Sequence, residues 1–287
     1  MAEELHFGRA AARLHVAQPA LSQQIRRLEA ELNVQLFQRT KRRVVLTEPG
    51  RVFLAKTRVV LSHAHEAVSS VQRANHGEIG ELSIGFVGSA AQGILPEILK
   101  LSRKRFPEIQ LSLQELTTSQ QIACLRNSQI QVGFLRPPIA DPDIQTESIV
   151  REPWVVAIPR SHPLRTRSLI ALHELAKESF IGTPRTLGPG FYDQAFSLCL
   201  QAGFSPRVVQ EAVHMQTIVS LVNAGLGVAL VPQSVEKWSN EGVLYKRIRG
   251  SPTVEMAFAW RQGEQSPAFR SFASVVRAAA KPRRNRP

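Results

Sequence analysis

Cysteine is nearly absent: Cys124 and Cys199 are the only two in 287 residues, and no CxxC spacing exists. A disulfide scaffold and a zinc ribbon are thereby excluded. Both thiols fall within helical apolar patterns and read as buried cysteines of a reducing compartment. No uninterrupted apolar stretch is long enough to span a bilayer, and no charged-then-apolar leader opens the chain. A cytoplasmic protein without membrane attachment is expected. The signatures HExxH, GxxxxGK[ST] and GxSxG are missing, and the eight histidines are scattered without metal-ligand spacing. No metal, cofactor or catalytic residue is therefore expected. His162 reads as a loop residue in a turn, and His214 as a lone imidazole without an orienting carboxylate. Gly225 and Gly227 follow a helix and precede a strand, the reverse of a dinucleotide loop.

Acidic residues are also in deficit. Against 36 Lys/Arg stand 23 Asp/Glu, a net of +13 that favours a polyanionic partner. The excess sits at the ends: +6 in residues 1–76 and +4 in the last seven, KPRRNRP, leaving +3 between them. That final run reads either as extra nonspecific affinity for DNA or as a disordered solubilising tail.

What is present begins with residues 9–32, RAAARLHVAQPALSQQIRRLEAEL. Ala10, Ala11, Ala12 and Leu14 make a compact first helix. Val16 and Ala17 lie in a junction, and Pro19 suits the first turn of a second helix because its missing N–H is not needed there. Leu21, Ile25, Leu28 and Leu32 then form one apolar stripe. The opposite face, with Ser22, Gln23, Arg26 and Arg27, suits phosphates and base edges, or a solvated helix that touches nothing. Leu36 and Phe37 follow as apolar plugs. Arg39, Lys41, Arg42 and Arg43 make a basic tip and Val44-Val45-Leu46 a short strand. A helix pair followed by a cationic hairpin is a winged helix-turn-helix, its second helix aimed at the major groove and its wing at the backbone or minor groove.

These segments together resemble the LysR-type transcriptional regulators, marked by an alanine-rich helix, V-x-Q-P-A-L-S, L-E-x-E-L, L-F-x-R and L-T-x-x-G. Here those are Val16 to Ser22, Leu28 to Leu32, Leu36 to Arg39 and Leu46 to Gly50. The resemblance implies that Gln18, Pro19, Ser22, Gln23 and Arg26 approach DNA, joined by the wing arginine Arg42 and its neighbour Arg43. Gln23 departs from the arginine many members carry there. Glutamine can pair bidentately with adenine but makes no charge-assisted contact with guanine or phosphate. Such a domain normally opens with about a dozen further residues of helix. The resemblance therefore implies that Met1 is a misassigned start and that the first helix is truncated.

From Pro49 to about Gly77 a single long helix is expected, apolar on two sides, which asks for a partner helix such as its own twin. HGEIG, residues 76–80, reads as a hinge. Leu82, Ile84 and Phe86 alternate as a strand running into a helix, and residues 109–117 and QIQVGFLRPP supply two more strands. This alternation predicts a mostly parallel sheet with ligands at its carboxyl edge, where Ser89, Thr117, Thr118 and Arg136 fall. Arg136 is the residue best placed to face a carboxylate. From about residue 150 the order changes. SFIGTPR ends at Pro184 and Arg185, Phe191 follows a Gly-Pro-Gly turn, and Gln216 and Thr217 open a later helix; each is a candidate ligand contact, a packing residue or a helix cap. A last strand at 253–261 and a helix near 267–280 return to the first lobe.

The fold expected is an N-terminal winged helix-turn-helix, a long linker helix and a two-lobed α/β effector domain resembling periplasmic solute-binding proteins. Its parts are 1–48 for DNA, 49–76 for the linker and dimerisation, and 77–280 for the effector. The last divides into lobe one at about 80–149 plus 253–280 and lobe two at about 150–252, followed by the basic tail 281–287. The resemblance implies a sequence-specific DNA-binding regulator, nearest the subgroup responding to aromatic-degradation intermediates. Its expected partners are double-stranded promoter DNA, a small anionic effector such as an aromatic acid or dicarboxylate, RNA polymerase and further copies of itself, dimer pairing with dimer into a tetramer. An architectural DNA-binding protein without an effector remains the alternative. A solute-binding protein fits less well, because such a protein needs an export signal and no basic helix pair.

Overall fold

The computed structural model describes residues 1–39, 43–238 and 241–280. It comprises two compact units, Met1–Gln72 and the chain from Arg73 onward. In the N-terminal unit, α1 (Phe7–Arg13) and α2 (Gln18–Leu32) are joined by a turn in which His15 takes a left-handed conformation at φ 54°. Pro19 lies in the first turn of α2. Strands β1 (Phe37–Arg39) and β2 (Val44–Leu46) pair antiparallel as the wing, and α3 (Glu48–Asn75) begins directly after it. Its 28 residues extend roughly 42 Å. The stripe on α2 leaves Leu21 9% exposed, but Leu32 41%. On α3, Val52, Val59, Val60, Leu61, Val68 and Val71 are all more than half exposed within the single chain.

Helix α3 ends where Gly77 enters the left-handed region at φ 70°. The N–H groups of Gly77 and Glu78 close onto the carbonyls of Ala74 and Arg73. A Cβ at Gly77 would stand 2.2 Å from the Pro267 carbonyl oxygen, so the turn admits no side chain.

The C-terminal unit continues with β3 (Ile79–Phe86), α4 (Gly88–Gln92), α5 (Leu95–Arg105), β4 (Glu108–Glu115), α6 (Thr118–Arg126) and β5 (Val132–Leu135). Next come β6 (Ile144–Pro159), β7 (Leu169–Ile170), β8 (Ser179–Gly182), α7 (Pro189–Gln201), β9 (Arg207–Glu211), α8 (Met215–Asn223) and β10 (Ala229–Pro232). The last elements are β11 (Val243–Ile248), β12 (Thr253–Arg261) and α9 (Pro267–Ala280). The main sheet runs β4-β3-β5-β12-β6-β11-β7, with β10 also on β6.

The expectation of a mostly parallel sheet is corrected. β3 is parallel to β4 and β5, but β12 is antiparallel to β5 and β6, as are β10 and β11 to β6. Strand β6, from Ile144 to Pro159, is the spine of the unit. Its residues up to Pro153 pair with β12, and from Trp154 onward they pair with β10 and β11. One strand thereby carries the chain from one lobe to the other, and β12 returns beside β5 to finish the first.

Each lobe has its own apolar interior. In lobe one, Ile84, Ile98, Phe134, Phe258 and Phe272 are sealed beneath α5 and α9. Lobe two packs Trp154, Phe180, Phe191 and Cys199 in one cluster and Val155, Ile218, Val219 and Val222 in another. At roughly 1.5–3 kcal/mol for each buried large side chain, such clusters outweigh any single polar contact. Cys124 on α6 is half-buried, whereas Cys199 on α7 is buried.

Candidate functional sites

On α2, Gln18, Ser22 and Arg26 recur every four residues, with Pro19 and Gln23 one position on, so the five make one flank that runs from Gln18, beside Leu21, round to Gln23 on the far side. Gln18, Pro19, Gln23 and Arg26 are exposed and Ser22 half-exposed. Arg27 forms an i,i+4 pair with Glu31 at 2.9 Å, whereas Arg26 has no ion pair among the described residues. Arg42 and Lys41 lie outside the described residues; Arg43 is exposed at the foot of β2. Arg39 must be removed from the basic tip. Its guanidinium meets Glu29 at 2.7 Å and lies 4.8 Å from the centre of the Phe7 ring. Glu29 also accepts the N–H groups of Leu36 and Phe37, at 2.9 and 3.0 Å. The glutamate of L-E-x-E-L and the arginine of L-F-x-R are thus two ends of one clasp that fixes the wing to α2.

Between the lobes lies a cavity of about 340 Å³. Val87, Gly88 and Ser89 after β3, Glu115 at the end of β4 with Leu116 to Thr118 beyond it, and Arg136 after β5 form one wall. Thr183, Pro184, Leu187, Phe191, Val213, His214 and Met215 form the other. These are strand ends and the first turns of helices, where short loops bring backbone and hydroxyl groups together. Phe191 is held at the site by Trp154, the rings tilted 33° to each other with centroids 4.8 Å apart.

Ser89, Thr117, Thr118, Arg136, Pro184 and Phe191 all line this cavity. Arg185, Gln216 and Thr217 do not. Arg185 turns outward to a bidentate pair with Asp193 at 2.7 and 2.9 Å, and Gln216 and Thr217 lie on the solvent side of α8 while Ile218 and Val219 face inward. Thr117 lines the cavity but is occupied as the cap of α6: its Oγ1 accepts the Gln120 N–H at 3.3 Å and donates to Gln120 Oε1 at 3.0 Å.

Arg136 is 3% exposed and already neutralised within the protein. Nη2 meets Glu152 at 2.8 Å, Nη1 donates to the Glu255 carbonyl at 3.1 Å, and Nε and Nη2 donate to Ser89 Oγ at 3.3 and 3.0 Å. Burial pushes this guanidinium below the usual arginine range, and Glu152 offsets part of that. Glu152 in turn accepts the Ser234 N–H at 2.6 Å, joining both lobes. The Arg136 N–H points to Thr118 Oγ1 at 3.5 Å. Since the guanidinium that meets Ser89 and the backbone N–H that meets Thr118 can only donate, the two hydroxyls, each 4% exposed, act as acceptors toward them and keep their own protons to give.

Sequence reasoning passed over Glu115 and discounted His214, whose Nδ1 lies 3.3 Å from Glu115 Oε1. The carboxylate missing beside His214 in sequence arrives from β4, in the other lobe. Two further bonds cross the cleft: Ser119 Oγ donates to the Thr186 carbonyl and Gln194 Nε2 to that of Pro137, both at 2.9 Å. His162 is a buried structural residue whose Nδ1 accepts the Leu164 N–H at 3.1 Å. Among the described residues no cluster of side chains could hold a metal ion, and no helix is long and apolar enough to cross a membrane.

Residues 1–51 match the model of the bacterial regulatory helix-turn-helix protein, lysR family, and residues 75–281 match the LysR substrate binding domain. This chain belongs to the LysR family. The HTH-type transcriptional regulator AlsR of Bacillus subtilis (strain 168) is 39% identical over 276 residues, covering 96% of this chain and 91% of that one. The crystal structure of CbnR, a LysR family transcriptional regulator, superposes with a TM-score of 0.85 at 30% identity, covering 96% of each chain. Full-length CbnR in complex with its target DNA superposes at 0.82, covering 98% of this chain and 96% of that one. The LysR-type chain described here is accordingly a sequence-specific DNA-binding transcriptional regulator, not an enzyme, with a winged helix-turn-helix, a linker helix and a two-lobed α/β domain.

Proposed function

We propose that this regulator is controlled by a small carboxylic acid, aromatic or dicarboxylic, held in the interlobe cleft. The observation that carries the reading is the pair of buried hydroxyls at the cleft floor. Ser89 and Thr118 each accept from Arg136 and each retain a proton for an acceptor oxygen. The walls formed by Leu116, Leu187, Phe191 and Met215 suit an apolar or aromatic body, and about 340 Å³ is of the size that takes a small ligand. The effector-binding domain of BenM, solved with its effector benzoate, superposes on this chain with a TM-score of 0.61 at 28% identity, covering 69% of this chain and 91% of that one.

Residues 1–48 read DNA in this proposal, with Gln18, Pro19, Ser22, Gln23 and Arg26 in the major groove and Arg42 and Arg43 on the wing. Residues 49–76 join two copies into a homodimer. The exposed valines and Leu61 of α3 support that role, since an apolar helix face needs a cover. Dimers pair into tetramers through residues 77–280, and the assembly works on promoter DNA with RNA polymerase in the cytoplasm. An effector that binds one lobe arrangement better than another shifts that equilibrium and with it the spacing of the DNA-reading heads.

The test is a thermal-shift screen of the full chain against aromatic acids, dicarboxylates, amino acids and sugars. A saturable rise with an acid, lost in Ser89→Ala and Thr118→Ala, supports the reading. A rise with sugars alone, or one indifferent to both substitutions, sinks it.

A further inference from the structure

We infer that Glu115 sets the charge that an effector may carry. The cleft favours a mono-acid bearing a hydrogen-bond donor, such as an amine or hydroxyl, over a dicarboxylate. This rests on the cleft being a site for small acids, and it narrows that reading.

Among the described residues, three ionisable side chains line the cavity: Arg136, Glu115 and His214. Arg136 brings no net positive charge to a ligand, because Glu152 sits on its Nη2 at 2.8 Å behind the wall. Glu115 is different. Its partner from the facing lobe is His214, 3.3 Å away, and an imidazole offers a full charge only when protonated. Glu115 also stands beside the floor. A Cβ built on Gly88 would lie 2.6 Å from Glu115 Oε1, so the carboxylate is packed against the backbone of the residue that precedes Ser89. A ligand that reaches the Ser89 hydroxyl therefore comes within the field of Glu115. One carboxylate is tolerated because Ser89 and Thr118 donate to it. A second has no unmatched cation to meet among the described lining residues and is repelled, whereas an ammonium or hydroxyl finds an acceptor. Glu115 is 47% exposed, so solvent screens the effect to a moderate one.

The experiment uses the full chain and two matched sets of probes: benzoate, terephthalate and 4-(aminomethyl)benzoate, then hexanoate, adipate and 6-aminohexanoate. Dissociation constants are measured by calorimetry for the wild type, Glu115→Gln and Ser89→Ala. Glutamine retains the shape of the side chain and a polar group for His214. In the wild type the amine-bearing acid is expected to bind best and the diacid worst within a set. In Glu115→Gln the ratio of amine-bearing acid to diacid should fall about three- to tenfold. Equal or tighter binding of the diacids in the wild type, or an unchanged ratio in Glu115→Gln, overturns the role of Glu115 while leaving the acid site standing, provided that Ser89→Ala weakens every probe. If no acid of either set binds any of the proteins, the acid reading of the cleft falls and this inference with it.

Discussion

In the N-terminal unit the enclosed apolar cluster is Ala10, Ala11 and Leu21, with Met1, Phe7 and Ile25 half-covered around it. In lobe one of the C-terminal unit, Phe258 alone touches Phe134, Trp260 and Phe269, at centroid distances between 5.0 and 5.9 Å. Most of the chain's exposed large apolar side chains, from Leu14 and Val16 to Val71, belong to the smaller unit. That unit compensates with polar links: Glu29 to Arg39 and the wing backbone, and Glu3 and Glu4 to Arg13. The contrast teaches that the DNA-reading part depends on directional contacts at its few joints. The C-terminal unit depends on bulk packing.

Removing bulk should have the largest effect. Phe258→Ala is expected to cost the C-terminal unit about 3–5 kcal/mol, read as a fall in its calorimetric transition while that of the N-terminal unit stays in place. A common shift of all transitions would show that the two units do not melt separately, and the comparison would break. Next, Glu29→Ala should cost the N-terminal unit about 1–3 kcal/mol, because two wing N–H groups and a guanidinium lose their acceptor together. Loss of DNA binding on warming should then precede loss of ligand binding.

On DNA, Gln18→Ala should remove about 1–3 kcal/mol of discrimination between specific and random duplexes. Arg43→Ala should weaken both alike and lower the salt slope by about one. Equal losses on both duplexes for Gln18→Ala would take it out of the reading face. The smallest effect tests the packing of lobe two. Burial pushes the Cys199 thiol up to about 11, so at pH 8 about one molecule in a thousand carries the thiolate. Iodoacetamide on the folded protein should label Cys124 first and leave Cys199 intact, as read by peptide mass spectrometry.

The sequence alone determined the helix pair, the proline at the start of α2, the wing strand Val44–Leu46, the terminal strand and helix, and the strand ends that supply Ser89, Thr118 and Arg136. These are local matters of periodicity and turn chemistry, settled by neighbours a few residues apart. What only tertiary structure decided is which polar groups are already engaged. Arg39 belongs to Glu29, Arg136 to Glu152, Arg185 to Asp193 and His214 to Glu115. It also decided that α8 turns Gln216 and Thr217 to solvent and that β6 runs through both lobes. A charge is written in the composition, but its partner is chosen by how separate elements pack, and no spacing along the chain encodes that choice.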